Sequence, residues 1–81
     1  MNKNIKNVIS DIVEDYEMVM DYTVELYNQN NNNYINMLNH CNGLYHALSE
    51  FNVYGLIEIS TIDNNYKGVP NLCNIKVEFL F

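Results

Sequence analysis

The hydrophobic period of the chain changes twice. From about Lys3 to Asn28, Ile5, Ile9, Ile12, Tyr16, Val19, Thr23 and Leu26 recur at steps of four and three, with Val8, Val13, Met20 and Tyr27 beside them. That spacing predicts one amphipathic helix of about seven turns. The run NQNNNNY (28–34) ends it, because Asn side chains compete for local backbone hydrogen bonds and tolerate left-handed backbone. A second helical period follows, with Tyr34, Met37, Leu38, Cys41, Leu44, Tyr45, Leu48 and Phe51 on one face and Asn36, Asn39, Gly43, His46 and Glu50 opposite. After Phe51 the period becomes two: Val53, Gly55, Ile57, Ile59 and Thr61 alternate against Tyr54, Leu56, Glu58 and Ser60. The stretch LCNIKVEFLF alternates again, Cys73, Ile75, Val77, Phe79 and Phe81 inward against Asn74, Lys76, Glu78 and Leu80. The polar loop DNNYKGVPN, with Gly68 and Pro70, joins the two runs as an antiparallel pair.

The expected fold is therefore α+β: two N-terminal helices followed by a C-terminal antiparallel β-hairpin (α-α-β-β), in a single domain over 1–81 with no repeat or linker. A chain this short buries only about 60–65 % of its unfolded surface, so the core must be small. Two strands alone are marginal in water and must be backed by the helices or extended by another chain. Self-association through the hairpin edge, along Ile75 to Phe81, is the corresponding expectation, since nothing after Phe81 covers that edge.

Composition adds limits. Apolar residues make up 48 %, with seven Tyr, three Phe and no Trp, which supports a folded two-layer structure over disorder. Sixteen Asn and no Arg form a bias that AT-rich codon supply produces by itself, so most Asn need no role in function. Two Cys, without a signal-peptide pattern or an apolar run near 18 residues, point to the cytosol and free thiols. A Cys41–Cys73 disulfide is the lesser alternative, as both fall on predicted apolar faces.

Charge changes the picture most. Six of ten acids (Asp11, Glu14, Asp15, Glu17, Asp21, Glu25) lie within fifteen residues, while the other four (Glu50, Glu58, Asp63, Glu78) balance the four Lys, so the whole net charge of −6 belongs to one stretch of helix. At about 100° per residue the six fall in one arc of roughly 160°, opposite Ile5, Ile12, Tyr16 and Val19. Helix physics does not ask for this. Asp21 and Glu25 sit toward the C-terminal end, where cations are favoured, and Lys3 and Lys6 sit at the other end, with no acid at i+4 from either.

Met18 and Tyr22 project into the middle of the arc, one turn apart, which is how an interface centre with a polar rim is composed. Six charges over about 21 Å is one per roughly 3.5 Å, near the phosphate repeat of about 3.4 Å along one DNA strand. The plain alternative is a solvated face that aids solubility. A negative chain disfavours direct binding to nucleic acid or to an anionic membrane and favours a basic partner. The candidate partner-binding residues are therefore Asp11, Glu14, Asp15, Glu17, Met18, Asp21, Tyr22 and Glu25.

Other chemistry is sparse. His46 and Glu50, one turn apart, supply two of the ligands a metal needs and no third, so no metal or cofactor is expected. Neither Cys sits in a nucleophile setting, the carboxylates lie on a convex face, and Gly43, Gly55 and Gly68 are isolated and form no phosphate loop, so an enzyme is not expected. Tyr34, Tyr54 and Tyr66 lack the basic surroundings that base stacking requires.

In general character, as a small acidic domain with an AT-rich coding bias and no enzyme signature, the chain resembles phage or mobile-element anti-defence proteins, including anti-CRISPR proteins; no alignable motif carries the resemblance. It implies a stoichiometric inhibitor acting in the cytosol of a host cell. Its target would be a basic nucleic-acid-binding effector nuclease, blocked where guide, target or PAM duplex would sit. An antitoxin or immunity protein covering a basic nuclease would share the same surface. A structural module that homodimerises through its hairpin edge or helices is the reading from a different class.

Overall fold

The computed structural model describes Asn2 to Phe81; Met1 and the side chains of Asn2 and Lys3 lie outside the described residues. Helix α1 (Asn2–Asn28) and helix α2 (Tyr34–Val53) are followed by strand β1 (Ile57–Asp63), a short 3-10 turn (Tyr66–Gly68) and strand β2 (Asn74–Phe79). This is the α-α-β-β order that the periodicity predicts. The strands form a two-stranded antiparallel sheet whose register pairs Ile57 with Phe79, Ile59 with Val77 and Thr61 with Ile75, with an irregularity between Thr61 and Asp63.

α1 ends where the Asn run allows a left-handed residue. Asn30 adopts φ 56°, its N–H donates to the Tyr27 carbonyl at 3.0 Å, and the Asn31 N–H reaches back to the Leu26 carbonyl at 2.9 Å. These two bonds are a Schellman cap, which satisfies carbonyls the helix end would leave open. α2 ends in the same way around Gly55 (φ 75°), with Gly55 N–H on Asn52 and Leu56 N–H on Phe51. Here the sequence expectation is corrected. Val53 to Leu56 finish a helix and turn instead of opening a strand, so Val53 and Tyr54 face solvent. The apparent alternation of Val53, Gly55 and Ile57 arises because a glycine at the left-handed position falls two residues from a true strand start.

The buried residues form two clusters along α1. Ile9, Leu48 and Ile57 make one, flanked by Ile5, Val13, Phe51 and Val77; Tyr16, Met20, Val24, Cys41, Val69 and Leu72 make the other, and Ile75 touches both. Ile9, Leu48 and Ile57 are fully buried, each contributing about 1.5–3 kcal/mol. The loop between the strands is not merely polar, since Val69 and Leu72 are fully buried and close the second cluster. Asx contacts hold that loop: Asn65 N–H donates to Asp63 Oδ1, Asn71 N–H donates to Asn65 Oδ1, and Tyr66 N–H bonds the Leu72 carbonyl.

Among the described residues, buried polar side chains are satisfied. The Thr23 hydroxyl donates to the Val19 carbonyl at 2.7 Å, and the Tyr16 hydroxyl donates to the Cys73 carbonyl at 2.6 Å, tying α1 to the entry of β2. Both cysteines are free; Cys41 is buried 4.0 Å from Thr23 Oγ1, and Cys73 Sγ lies 3.8 Å from Asn64 Oδ1. A second correction concerns Phe79 and Phe81, expected inward but more than a third exposed. The Lys6 ammonium stands over their rings at 5.5 and 5.2 Å from the centroids. That contact gives this lysine at the unfavourable helix end a partner worth about 0.5–1 kcal/mol.

Candidate interaction face

All six helix acids are exposed, as are Met18 (67 %) and Tyr22 (49 %) between them. Neither α2 nor the hairpin covers these two apolar side chains, so the stripe read from the angular positions is a continuous surface of α1. Among the described residues the ion pair present is Lys76 with Glu78 at 3.3 Å on the outer face of the sheet, and no helix acid takes part in it. The face thus presents five like-charge pairs at i, i+3 or i, i+4 with no ion pair among the described residues to offset them.

One edge of this face is not simply convex. Glu14 and Glu17, with Ser10 and Val13, form one wall of a groove of about 280 Å³ whose other wall is Val77 and Phe79 of β2. The groove continues past Val13 and Glu17 into a recess of about 240 Å³ flanked by Asp21, Tyr66, Asn74 and Ile75. Sequence reasoning missed this feature, because it depends on how α1 leans against β2 and no local pattern encodes that. Asp11 and Asp15 lie on the far side of the arc by helical geometry, so the structure brings Glu14, Glu17 and Asp21 together with β2 and leaves Asp11 and Asp15 apart from it.

The chain matches no family model, no curated protein and no solved structure. The surface chemistry therefore has to carry the functional argument.

The remaining candidates resolve into packing or open surface. Tyr34 packs edge-on against Tyr27 with centroids 5.0 Å apart, Tyr66 packs on the second core cluster, and Tyr54 stands in solvent beside Val53. His46 and Glu50 are exposed on α2, and among the described residues no group of three His, Cys, Asp or Glu is placed to hold a metal ion. Burial pushes the Tyr16 phenol up, helped by the nearby Cys41 and Cys73 thiols. Burial also raises the Cys41 thiol, with the Thr23 hydroxyl pulling the other way, which leaves it a protonated packing residue at neutral pH. No described helix is long and apolar enough to cross a membrane.

Proposed function

We propose that the protein is a small acidic inhibitor that occupies the nucleic-acid-binding surface of a basic target, such as a CRISPR effector or another nuclease. The observation that carries this reading is the face of six exposed carboxylates with no ion-pair partner among the described residues and with exposed Met18 and Tyr22 at its centre. Asp11, Glu14, Asp15, Glu17, Asp21 and Glu25 pair with the Lys and Arg that would otherwise hold phosphates, and Met18 and Tyr22 supply the desolvated anchors. An immunity protein or antitoxin that covers a basic nuclease uses the same surface logic.

The test is a tagged pull-down from lysate of the source cells, washed at low and then high salt, beside a Glu17→Lys, Asp21→Lys, Glu25→Lys variant. The expected result is a basic nucleic-acid-binding protein that added duplex releases, that salt weakens and that the variant fails to hold. Recovery of the chain alone, indifferent to salt and to charge reversal, refutes it. That outcome fits a second reading, an assembly module that homodimerises through β2, which one observation favours: two β2 strands antiparallel about Val77 would set Lys76 of one copy opposite Glu78 of the other.

A further inference from the structure

We infer that the groove between α1 and the free edge of β2 seats an extended, lysine- or arginine-bearing segment of the target as a third strand of the sheet; this rests on the reading above that the target is basic. The hydrogen-bond phase of the sheet shows which groups are available. Leu80 N–H donates to the Leu56 carbonyl at 3.0 Å, and antiparallel ladders alternate bonded and non-bonded pairs, so Glu58–Glu78 and Ser60–Lys76 are bonded pairs. Ile75, Val77 and Phe79 then turn their N–H and C=O groups away from β1. The Ile57 carbonyl agrees with this phase, since it accepts from Asn52 Nδ2 at 2.9 Å and not from β2.

Each edge of the sheet has one carbonyl occupied: that of Ile57 in β1 takes the Asn52 amide, and the free row of β2 begins at Cys73, whose carbonyl takes the Tyr16 hydroxyl. Beyond it, among the described residues, no protein group bonds the outward N–H and C=O of Ile75, Val77 or Phe79. An open strand edge is a template for a further strand. What lies beneath this edge sets the chemistry of the strand it takes.

The wall facing the added strand is the acidic flank of α1. Glu14 and Glu17 line the groove and Asp21 the recess. The lysines near these walls are engaged, Lys6 over the Phe79 and Phe81 rings, Lys67 over the ring of Tyr66 in the recess and Lys76 on Glu78. Alternate side chains of an extended strand repeat at about 6.6–6.8 Å, and Glu17 and Asp21 are about 6 Å apart along the helix axis. Successive cationic side chains on one face of the added strand thus meet successive carboxylates, with their aliphatic stems over Val13 and Val77. A second copy of this chain fits less well, because its β2 carries along its own Glu14, Glu17 and Asp21 and a second net charge of −6.

The test uses the full chain, labelled for amide NMR, with a short peptide of alternating Lys and Thr at low salt and its Glu–Thr counterpart as control. The expected result is binding of the lysine peptide alone, with hydrogen-exchange protection at Val77 and Phe79 rising roughly tenfold while Lys76 and Glu78, already bonded to β1, change little. Glu17→Lys with Asp21→Lys weakens binding roughly tenfold or more, and Glu50→Lys with Glu58→Lys, the same change in net charge on other elements, leaves it within about threefold. Binding that perturbs Met18 and Tyr22 without protecting Val77 and Phe79 overturns the groove while leaving the basic-target reading standing. Protection of those amides that rises with protein concentration, with a dimer mass by sedimentation, assigns the edge to a second copy and also overturns it. No binding of the lysine peptide at low salt does the same.

Discussion

Reversing one charge at the middle of the acidic face should make the protein more stable. Asp21 has Glu17 one turn before it and Glu25 one turn after, all three exposed and none in an ion pair among the described residues. Asp21→Lys replaces two repulsions of about 0.2–0.5 kcal/mol each with two attractions of similar size, about 0.8–2 kcal/mol in all. Solvent screening of exposed groups argues for the lower half, about 1 kcal/mol. A cation is also better suited to this half of the helix dipole, and Lys is a better helix former than Asp. For a domain of this size that gain raises Tm by roughly 4–8 °C, read by circular dichroism during heating. Asp21→Asn separates lost repulsion from gained attraction and should give about half the shift. Moving from 0.01 M to 1 M salt shortens the screening length from about 30 Å to about 3 Å, so the difference between variant and wild type should shrink to the propensity part. A Tm for Asp21→Lys at low salt equal to or below that of wild type would show that the carboxylates suit their own helix. The argument that they serve a partner at a cost in stability would then fail.

Gly43→Ala is expected to stabilise by about 0.5–1 kcal/mol in urea titrations, because a Cβ there meets nothing within 4 Å and glycine weakens a helix interior. Gly55→Val should cost about 1–2 kcal/mol by the same assay, since φ 75° is left-handed backbone and closes the α2 cap. Burial holds the Tyr16 and Cys41 groups above their ordinary values of 10.0 and 9.0. Their contribution is therefore complete below about pH 9 and is lost above it, as the unfolded chain ionises first; a urea midpoint that stays flat from about pH 8 to pH 10.5 contradicts this. Tyr16→Phe, which strands the Cys73 carbonyl, should cost about 1–3 kcal/mol near neutral pH and flatten the alkaline fall.

Where a segment is long and periodic, its element could be read from the sequence. The steps from Ile5 to Leu26 and from Tyr34 to Phe51 are long enough for the helical period to stand out, and the antiparallel pairing of the two strands, though not its register, follows from two alternating runs joined by a turn-rich loop. The direction of Met18 and Tyr22 is legible, because position around a helix fixes it, but their exposure is not, since no local pattern says whether α2 or the hairpin covers them. What was not legible has a common cause. Val69 and Leu72 are single apolar residues among Gly, Pro and Asn, with no period to mark them, yet the loop folds them into the core. The sequence alternation starts β1 four residues early because Gly55 serves a helix cap and happens to fall in the strand's alternation. Phe79 and Phe81 follow the alternation in sequence, yet both are more than a third exposed, and what α1 sets against their rings is the Lys6 ammonium.

Glu17 shows why the candidate site could be read only in part. On α1 alone it is one of six carboxylates, at the end of the arc farthest from Asp15, and a charge count gives it no distinction from Glu25. In the fold it is the one acid that lines both the groove and the recess, because the arc begins where the contact of α1 with β2 ends. Its carboxylate therefore stands beside apolar walls and an open row of backbone hydrogen-bonding groups, while Glu25 is not part of either lining. A cation brought to Glu17 on an extended chain can bury its stem and pair its backbone in the same event, whereas a cation at Glu25 gains only a screened ion pair. On the proposed reading, electrostatics spread over the whole face would set how fast a basic partner arrives, and the seam at Glu17 is where contact would be dry enough to set how long it stays.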